Sequence, residues 1–274
     1  MSATQIMPAL FLGHGSPMNA LQNNTTTKQW QELGQTLPRP RAILLISAHW
    51  LTRGTAISTA SRPQTIHDFG GFPAELFAMQ YPAAGAPELA EQIAASLSIP
   101  VTRIDSQGLD HGSWSALVHL YPEADIPVFQ LSLDQNLRAQ QQFQVGRELR
   151  RWREQGVLII GSGNVVHNLR ALAPGSPPLP WASRFNQAVA ESLMAEEDPA
   201  LLDYKTLVDA DTAELCHPTD EHLQPLFYLL GSAFPGERRL LFNNSLEMGA
   251  ISMLSLQLGR SSSCEGLSLA ARRL

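Results

Sequence analysis

Short runs of consecutive apolar residues recur along the chain and predict buried β-strands. The clearest runs cover residues 9–12, 42–46, 128–133 and 157–160. Their apolar positions are continuous rather than alternating with polar ones, which is typical of strands covered by helices on both faces. The pattern therefore favours a largely parallel sheet inside the protein.

Between these runs, apolar residues repeat about every four positions, and this spacing predicts amphipathic helices. The clearest helices cover residues 87–97 and 143–152. Helices that alternate with buried strands indicate an α/β fold, layered α/β/α around a mostly parallel central sheet. No internal repeat or long linker interrupts the pattern, so we expect a single domain over residues 1–274.

Composition narrows the class of protein without giving its function. A net charge of −6 and a pI near 5.7 argue against binding to nucleic acid or to an anionic membrane surface. No apolar run approaches the ~20 residues of a membrane span, and the N-terminus lacks the basic region of a signal peptide. Cys216 and Cys264 form no Cys-x-x-Cys motif, which suits a reduced protein. We therefore expect a cytoplasmic location.

Histidines follow three of the predicted strands. His14 and His49 come directly after two of the apolar runs, and His167 follows residues 157–160, where we expect the next helical turn. Ligands of open α/β sheets bind beyond the carboxyl ends of the strands, so the three imidazoles should meet at one edge. A single histidine is more often a core or surface residue, but three at strand ends predict one shared divalent metal ion.

A fourth candidate ligand, His222, lies near the C-terminal end of the segment that begins at His217. Thr219 has the side chain of a helix N-cap, and the apolar positions after residue 222 predict the buried face of that helix. His222 would then project from the first helical turn, where a metal at the sheet edge could bind it. We interpret His217 as packing around the site or in a loop, and His119 as structural.

A loop rich in glycine and aromatic residues covers residues 65–73. It is either an ordinary turn or the wall of a pocket for a planar aromatic ring. On the second interpretation His67, Phe69 and Phe72 are candidate substrate contacts, together with Trp50.

A further candidate, His111, precedes a predicted helix over residues 115–120. Asp110 or Ser113 would cap that helix. His111 could still turn into the site as an acid or a base.

In this order the segments resemble the class III extradiol ring-cleavage dioxygenases, and more specifically the 4,5-DOPA extradiol dioxygenase type. The resemblance runs over nearly the whole chain, from residue 10 to residue 249. Its strongest segments are Gly13-His14-Gly15-Ser16-Pro17, Ser47-Ala48-His49-Trp50, His67-Asp68-Phe69-Gly70-Gly71-Phe72-Pro73, Asp110-His111-Gly112-Ser113-Trp114 and Gly163-Asn164-Val165-Val166-His167-Asn168-Leu169-Arg170.

The resemblance implies a non-haem metal with His14, His49 and His222 as ligands. It implies His167 as a ligand or as the acid–base residue beside the metal, and His111 as a second active-site histidine. Related enzymes bind Fe(II) through two histidines and a glutamate. In this sequence the third ligand position is a histidine, His222, and Glu221 is only its neighbour in the chain. Fe(II) is expected for oxygenation, and zinc is also compatible with a histidine-rich site.

The implied reaction is the opening of a catechol ring by O2, with L-DOPA (4,5-cleavage) or a related small catechol as substrate. His167 is the first choice for the base and His111 the second. The main alternative is a zinc hydrolase in which the same histidines activate water, and this enzyme would need no oxygen. A metal-binding protein without catalysis would lack the base and the aromatic pocket.

Overall fold

The computed structural model describes residues 6–259. The strands are β1 (Ala9–Gly13), β2 (Ala42–Ser47), β3 (Leu51–Thr52), β4 (Thr55–Ser58), β5 (Val101–Ile104), β6 (Val128–Gln130), β7 (Leu133–Asp134), β8 (Val157–Gly163), β9 (Arg239–Phe242), β10 (Leu246–Glu247), β11 (Ile251–Ser252) and β12 (Ser255–Leu258). The α-helices are α1 (Thr25–Thr36), α2 (Ala74–Ala78), α3 (Pro87–Ser96), α4 (His111–Leu120), α5 (Ala139–Arg153), α6 (Pro180–Met194), α7 (Asp198–Leu202), α8 (Ala210–Cys216) and α9 (Gln224–Gly231).

The central sheet has the strand order β6-β2-β8-β1-β12-β9. Neighbouring strands from β6 to β1 pair in parallel, whereas β12 pairs antiparallel with both β1 and β9. The prediction of a mostly parallel sheet is therefore confirmed. Strand β12 alternates polar and apolar residues, and β10 and β11 have two residues each, so none of the three gives a continuous apolar run in the sequence.

Two apolar cores lie on opposite faces of this sheet. Leu44 and Ile46 of β2 pack in the core that contains residues of α5 and α9. Ile43 and Leu45 face the other core, which contains Trp30 of α1 and residues of α4. Because both faces are covered by helices, β2 carries apolar residues at successive positions. This arrangement confirms the layered α/β/α prediction.

The carboxyl ends of β1, β2 and β8 meet at one edge of the sheet. Gly13 pairs with Gly163, and Ser47 pairs with Ser162. The segment before α9 is attached to the same edge, because the Asn164 N–H donates to the His222 carbonyl at 2.8 Å. The residues that follow these strand ends are thereby brought close together in space.

The run at residues 128–133 does not form one strand. It divides into β6 in the central sheet and β7, which pairs with β3. Ser132, between them, uses its hydroxyl to accept the Ala56 N–H at 2.8 Å and to bond Thr52 at 2.6 Å. These side-chain bonds redirect the backbone out of the first sheet.

Two local predictions around the histidines are wrong. His167 does not lie on a helical turn but in an extended segment that forms an isolated bridge with Ile251. Thr219 does not cap α9, which begins at Gln224 after a turn. Pro225 has no N–H to donate but fits the first helical turn, so the helix begins later than the side-chain pattern indicated.

The remaining sequence predictions concern a membrane span, the two cysteines, the number of domains and the location in the cell. Among residues 6–259, no helix combines the length and apolarity needed to cross a membrane. Cys216 is buried, and Cys264 lies outside the described residues. One domain over residues 1–274 and a cytoplasmic location stay predictions.

Candidate active site

Ser162, near the end of β8, orients the ring of His14. His14 is buried directly after β1, and its Nδ1 lies 3.0 Å from the Ser162 hydroxyl oxygen. Because that hydroxyl donates its hydrogen to the Gly112 carbonyl, it accepts from His14 Nδ1. The proton of the neutral ring is therefore on Nδ1, and Nε2 carries the lone pair.

His49, which follows β2, faces His14. Their Nε2 atoms are 3.1 Å apart. Two nitrogen lone pairs at this distance repel unless a proton or a cation lies between them. Two imidazoles that each bind one ion at ~2.1 Å have nitrogen atoms about 3–3.4 Å apart, so the spacing fits ligands of a common ion.

Asp68 joins the aromatic loop to α4. Its Oδ1 accepts the backbone N–H of His111 at 2.9 Å and lies 3.0 Å from His111 Nδ1. Its Oδ2 lies 3.6 Å from Nδ1 of His49. Burial raises the pKa of Asp68, but the hydrogen bonds from His111 outweigh that effect and lower the pKa to about 2.

His222 enters the same space from the turn before α9. Its Nδ1 lies 2.9 Å from the carboxylate of Glu221, which leaves Nε2 as the nitrogen with the lone pair. That Nε2 is buried and has no hydrogen-bond partner among the described residues. A buried polar atom without a partner is unfavourable, and a bound metal ion would satisfy it.

His167 lies flat against His222. The ring centroids are 3.4 Å apart and the planes differ by 9°. The His167 backbone N–H donates to the Cys216 carbonyl at 3.0 Å, which fixes the chain where it passes the site. His167 is half-buried, so its ring reaches the boundary between the histidine cluster and the solvent.

Burial and the neighbouring histidines favour the neutral form of four imidazoles, those of His14, His49, His167 and His222. Burial, followed by the neighbouring histidines, holds the pKa of His14 and His222 well below the ordinary 6.5. Burial and then His111 lower the pKa of His49 to about 3, and burial lowers the pKa of His167 to about 4. Neutral imidazoles retain the lone pair that binds metal ions.

The donor atoms fit a divalent metal ion. His14, His49 and His111 each offer a nitrogen, and these atoms lie within 4.8 Å of one another. His167, Glu221 and His222 form a second such group, with the ring of His222 5.4 Å from that of His14 between centroids. Imidazole-rich sites suit both iron and zinc.

The aromatic loop lies beside the cluster. Phe69 packs edge-on against His111, with ring centroids 5.6 Å apart, and against Phe72 at 5.3 Å. The loop therefore borders the histidine cluster, and its role as the wall of a substrate pocket stays a prediction. The Nε2–H of His67 donates to the carbonyl of Met79, just after α2, at 3.0 Å, and the His67 ring packs on Phe69.

Trp50 and two further histidines occupy other positions. Trp50 is buried after His49, and within the described residues its ring makes no aromatic contact with the clustered histidines. His119 lies 2.8 Å from the Asn19 carbonyl through Nε2. His217 bonds the Val165 carbonyl at 2.7 Å and packs on Phe185. Both have the packing roles expected for them.

Sequence reasoning missed the groups that orient the imidazoles. Ser162 was not singled out, Asp68 appeared only as a member of the aromatic loop, and Glu221 only as a neighbour of His222. The one available signal was the carboxylate of Glu221 directly beside His222. Partners distant in sequence, such as Ser162 and His14, have no local pattern.

A family model that matches most of the chain settles the class of the protein. The model described as the catalytic LigB subunit of aromatic ring-opening dioxygenase matches residues 8–249. The chain belongs to this family. As a LigB-family protein it is an extradiol aromatic ring-opening dioxygenase, which needs a metal ion and acts on an aromatic substrate and O2. Membership does not favour the hydrolase alternative.

Curated relatives and a solved structure agree with this membership. The LigB-family chain is 48% identical over 268 residues to the 4,5-DOPA dioxygenase extradiol of Escherichia coli (strain K12), covering 94% of this chain and 97% of that one. It is 36% identical over 259 residues to the enzyme of that name from Beta vulgaris, covering 92% and 96%. The crystal structure of an uncharacterized protein from Escherichia coli K12 superposes with a TM-score of 0.80 at 43% identity, covering 92% and 100%.

Proposed function

We propose that this dioxygenase opens the ring of L-DOPA, or of a related small catechol, by 4,5-cleavage. One Fe(II) per chain would be held by the Nε2 atoms of His14, His49 and His222. The observation that carries the ligand set is the shared orientation of His14 and His222. Each has an oxygen partner at Nδ1 and a lone pair on Nε2, as in other metal-binding histidines.

A ferrous ion would hold catechol and O2 side by side and conduct electrons between them, whereas zinc has no redox chemistry. We propose that the neutral His167 takes a proton from a catechol hydroxyl on one of its ring nitrogens and later returns it. The stacking on His222 supports this role, because it places His167 beside the ligands without aiming it at the same point as His222.

We propose that His111 is the second acid–base group and that the aromatic loop contacts the substrate ring. The packing of Phe69 against His111 supports both, since a ring held by the loop would lie near that imidazole. Phe72 extends the same wall. We propose that His67 and Trp50 also contact the substrate, and the packing of the His67 ring on Phe69 supports the role of His67. The 274-residue chain would act as one catalytic domain.

The test is an oxygen-uptake assay after anaerobic loading with Fe(II). With L-DOPA the loaded enzyme should consume one O2 per ring opened and give a yellow product, and other small catechols define the specificity. Zinc-loaded enzyme from the same preparation is the matched control and should consume no oxygen. Turnover of ester or amide substrates without oxygen, with no reaction of any catechol, would establish the hydrolase instead.

A further inference from the structure

Asp68 and His111 belong to segments far apart in the sequence and meet through two hydrogen bonds to a single oxygen. Oδ1 of Asp68 accepts the backbone N–H of His111 at 2.9 Å and lies 3.0 Å from its Nδ1. His111 is the first residue of α4, where backbone N–H groups have no partner within the helix. Asp110 is the N-cap of the same helix, since its carboxylate accepts the Ser113 N–H. The helix therefore has its cap without Asp68, and the contact from Asp68 adds a bond to the ring of His111.

The contact determines which nitrogen of His111 carries the proton. Aspartate is ionised at neutral pH and has no proton to donate, so Nδ1 of His111 must be the donor in the 3.0 Å bond. Neutral imidazole has one protonated nitrogen, which leaves the lone pair on Nε2. Without such a partner, the imidazole of free histidine favours the opposite tautomer, with the proton on Nε2.

The same contact fixes the ring in the cluster. The centroid of the His111 ring lies 3.9 Å from that of His49 and 5.6 Å from that of His14. The His111 side chain is only 8% exposed, whereas that of Asp68 is 26% exposed. The Asp68 carboxylate thus binds Nδ1 on the solvent side of the buried His111 ring. Nε2, the other ring nitrogen, stays available to the site.

We propose that Asp68 is a positioning residue that holds His111 in the Nδ1-protonated tautomer and so supplies an Nε2 lone pair to the active site. The inference rests on the proposed acid–base role of His111, which it deepens. A carboxylate behind a histidine is an effective arrangement for this purpose, because it fixes the tautomer and the ring orientation together.

Asp68 does not act mainly through His49. Its Oδ2 lies 3.6 Å from His49 Nδ1, which is too long for a hydrogen bond. The bonds to His111 are both within the normal range. Loss of the carboxylate should therefore affect His111 first.

The direct test reads the tautomer without turnover. The full chain, filled with diamagnetic zinc and labelled at histidine nitrogens, is examined by long-range proton–nitrogen NMR, with the signals of His111 assigned by their loss in His111→Gln. In the wild type we expect Nδ1 of His111 to be protonated and Nε2 to be bare. A wild-type spectrum with Nε2 of His111 protonated would overturn the proposal, whether or not any catechol is turned over.

Asp68→Asn then tests the cause, since it keeps the shape and removes the charge. We expect protonated Nε2 to become populated, metal content to stay stoichiometric, and kcat with Fe(II) to fall 10–100-fold with little change in KM. Asp125→Asn, which removes a surface carboxylate paired with Arg39, is the charge-matched control. Asp68→Asn with an unchanged His111 tautomer would refute the assignment.

A double-mutant cycle separates positioning from a purely structural role. In a His111→Ala background, Asp68→Asn should cause no further loss of kcat, because the group on which it acts is gone. An equal loss in both backgrounds would show that Asp68 acts elsewhere. If no variant and no wild-type sample oxygenates a catechol, the proposed function fails, while the NMR result still decides the role of Asp68.

Discussion

The imidazole rings of His167 and His222 are stacked, with centroids 3.4 Å apart and planes 9° apart. Lone pairs of an imidazole lie in the plane of its ring, so those of two parallel rings run side by side and do not converge on one ion. Nε2 of His222 is buried and unpartnered within the described chain, which supports the proposal that His222 is the ligand and His167 the base.

His167→Phe tests this division of roles. The phenyl ring keeps the stacking on His222 but removes both ring nitrogens, so we expect near-normal iron content. Turnover should fall by about 10²–10⁴-fold, the loss typical of a missing general acid or base. Metal analysis and steady-state oxygen uptake on the same preparation measure both. Iron lost in parallel with activity would make His167 a ligand, and retention of full rate would exclude both roles.

Alanine at His14, His49 or His222 should abolish stoichiometric metal binding. Each substitution removes one proposed ligand, and the far-ultraviolet circular dichroism should stay that of a folded protein. His119→Gln is the control, because His119 bonds the Asn19 carbonyl and lies outside the cluster. Elemental analysis decides the outcome, and full metal retention in all three alanine variants contradicts the site.

Acid should destabilise the metal-free protein. Burial is the main cause that lowers the pKa of His49 to about 3 and those of His167 and His217 to about 4, from 6.5. Below pH 6.5 the unfolded chain therefore binds protons that the folded chain does not. As the pH falls from 6.5 to its folded-state pKa, each group removes up to about 1.4 kcal/mol of unfolding free energy per pH unit, and above pH 6.5 it removes none.

Urea denaturation of the metal-free protein at a series of pH values measures this effect. The unfolding free energy should be nearly constant above about pH 7 and decrease progressively below about pH 6. A variant with His49→Gln and His167→Gln should show a shallower decrease. Equal stability at about pH 7 and about pH 5 would contradict the neutral state of the buried imidazoles.

Gly163→Ala should weaken the site through the backbone. A Cβ at Gly163 would lie 2.0 Å from the carbonyl oxygen of His222, so the segment that carries His222 must move. We expect a loss of about 1–3 kcal/mol in unfolding free energy, typical of overpacking, and weaker metal binding. Gly70→Ala, with no atom within 4 Å of its Cβ, is the control. Thermal denaturation and metal titration report the two effects, and a Gly163→Ala protein as stable as the control would contradict the prediction.

The sequence was sufficient to predict the positions of His14 and His49, because these depend only on parallel strands ending at one edge. The layered fold was predictable for the same reason, since continuous apolar runs identify strands covered on both faces. The local structure around His167 was not predictable, because its bridge to Ile251 involves a strand from the far end of the chain. Long-range pairing overrode the expected helical turn.

The orientation of the rings was also beyond the sequence. The contact between Asp68 and His111 spans 43 positions, and that between Ser162 and His14 spans 148. Neither leaves a periodic or local signal. The start of α9 was mispredicted for a different reason. Thr219 has a side chain suited to an N-cap, but its hydroxyl donates to the carboxylate of Glu221 instead.

The hydrogen bond between Asp68 and the backbone N–H of His111 also has a consequence for the proposed binding of a substrate. The aromatic loop is held at α4, and Phe69 already packs on Phe72, Phe77 and Trp114 before any catechol arrives. The loss of entropy on ordering this wall therefore occurs during folding and not during binding. If the loop contacts the substrate as proposed, a preorganised wall would meet the incoming ring as a rigid surface, and we expect it to distinguish flat from bulky molecules at first contact.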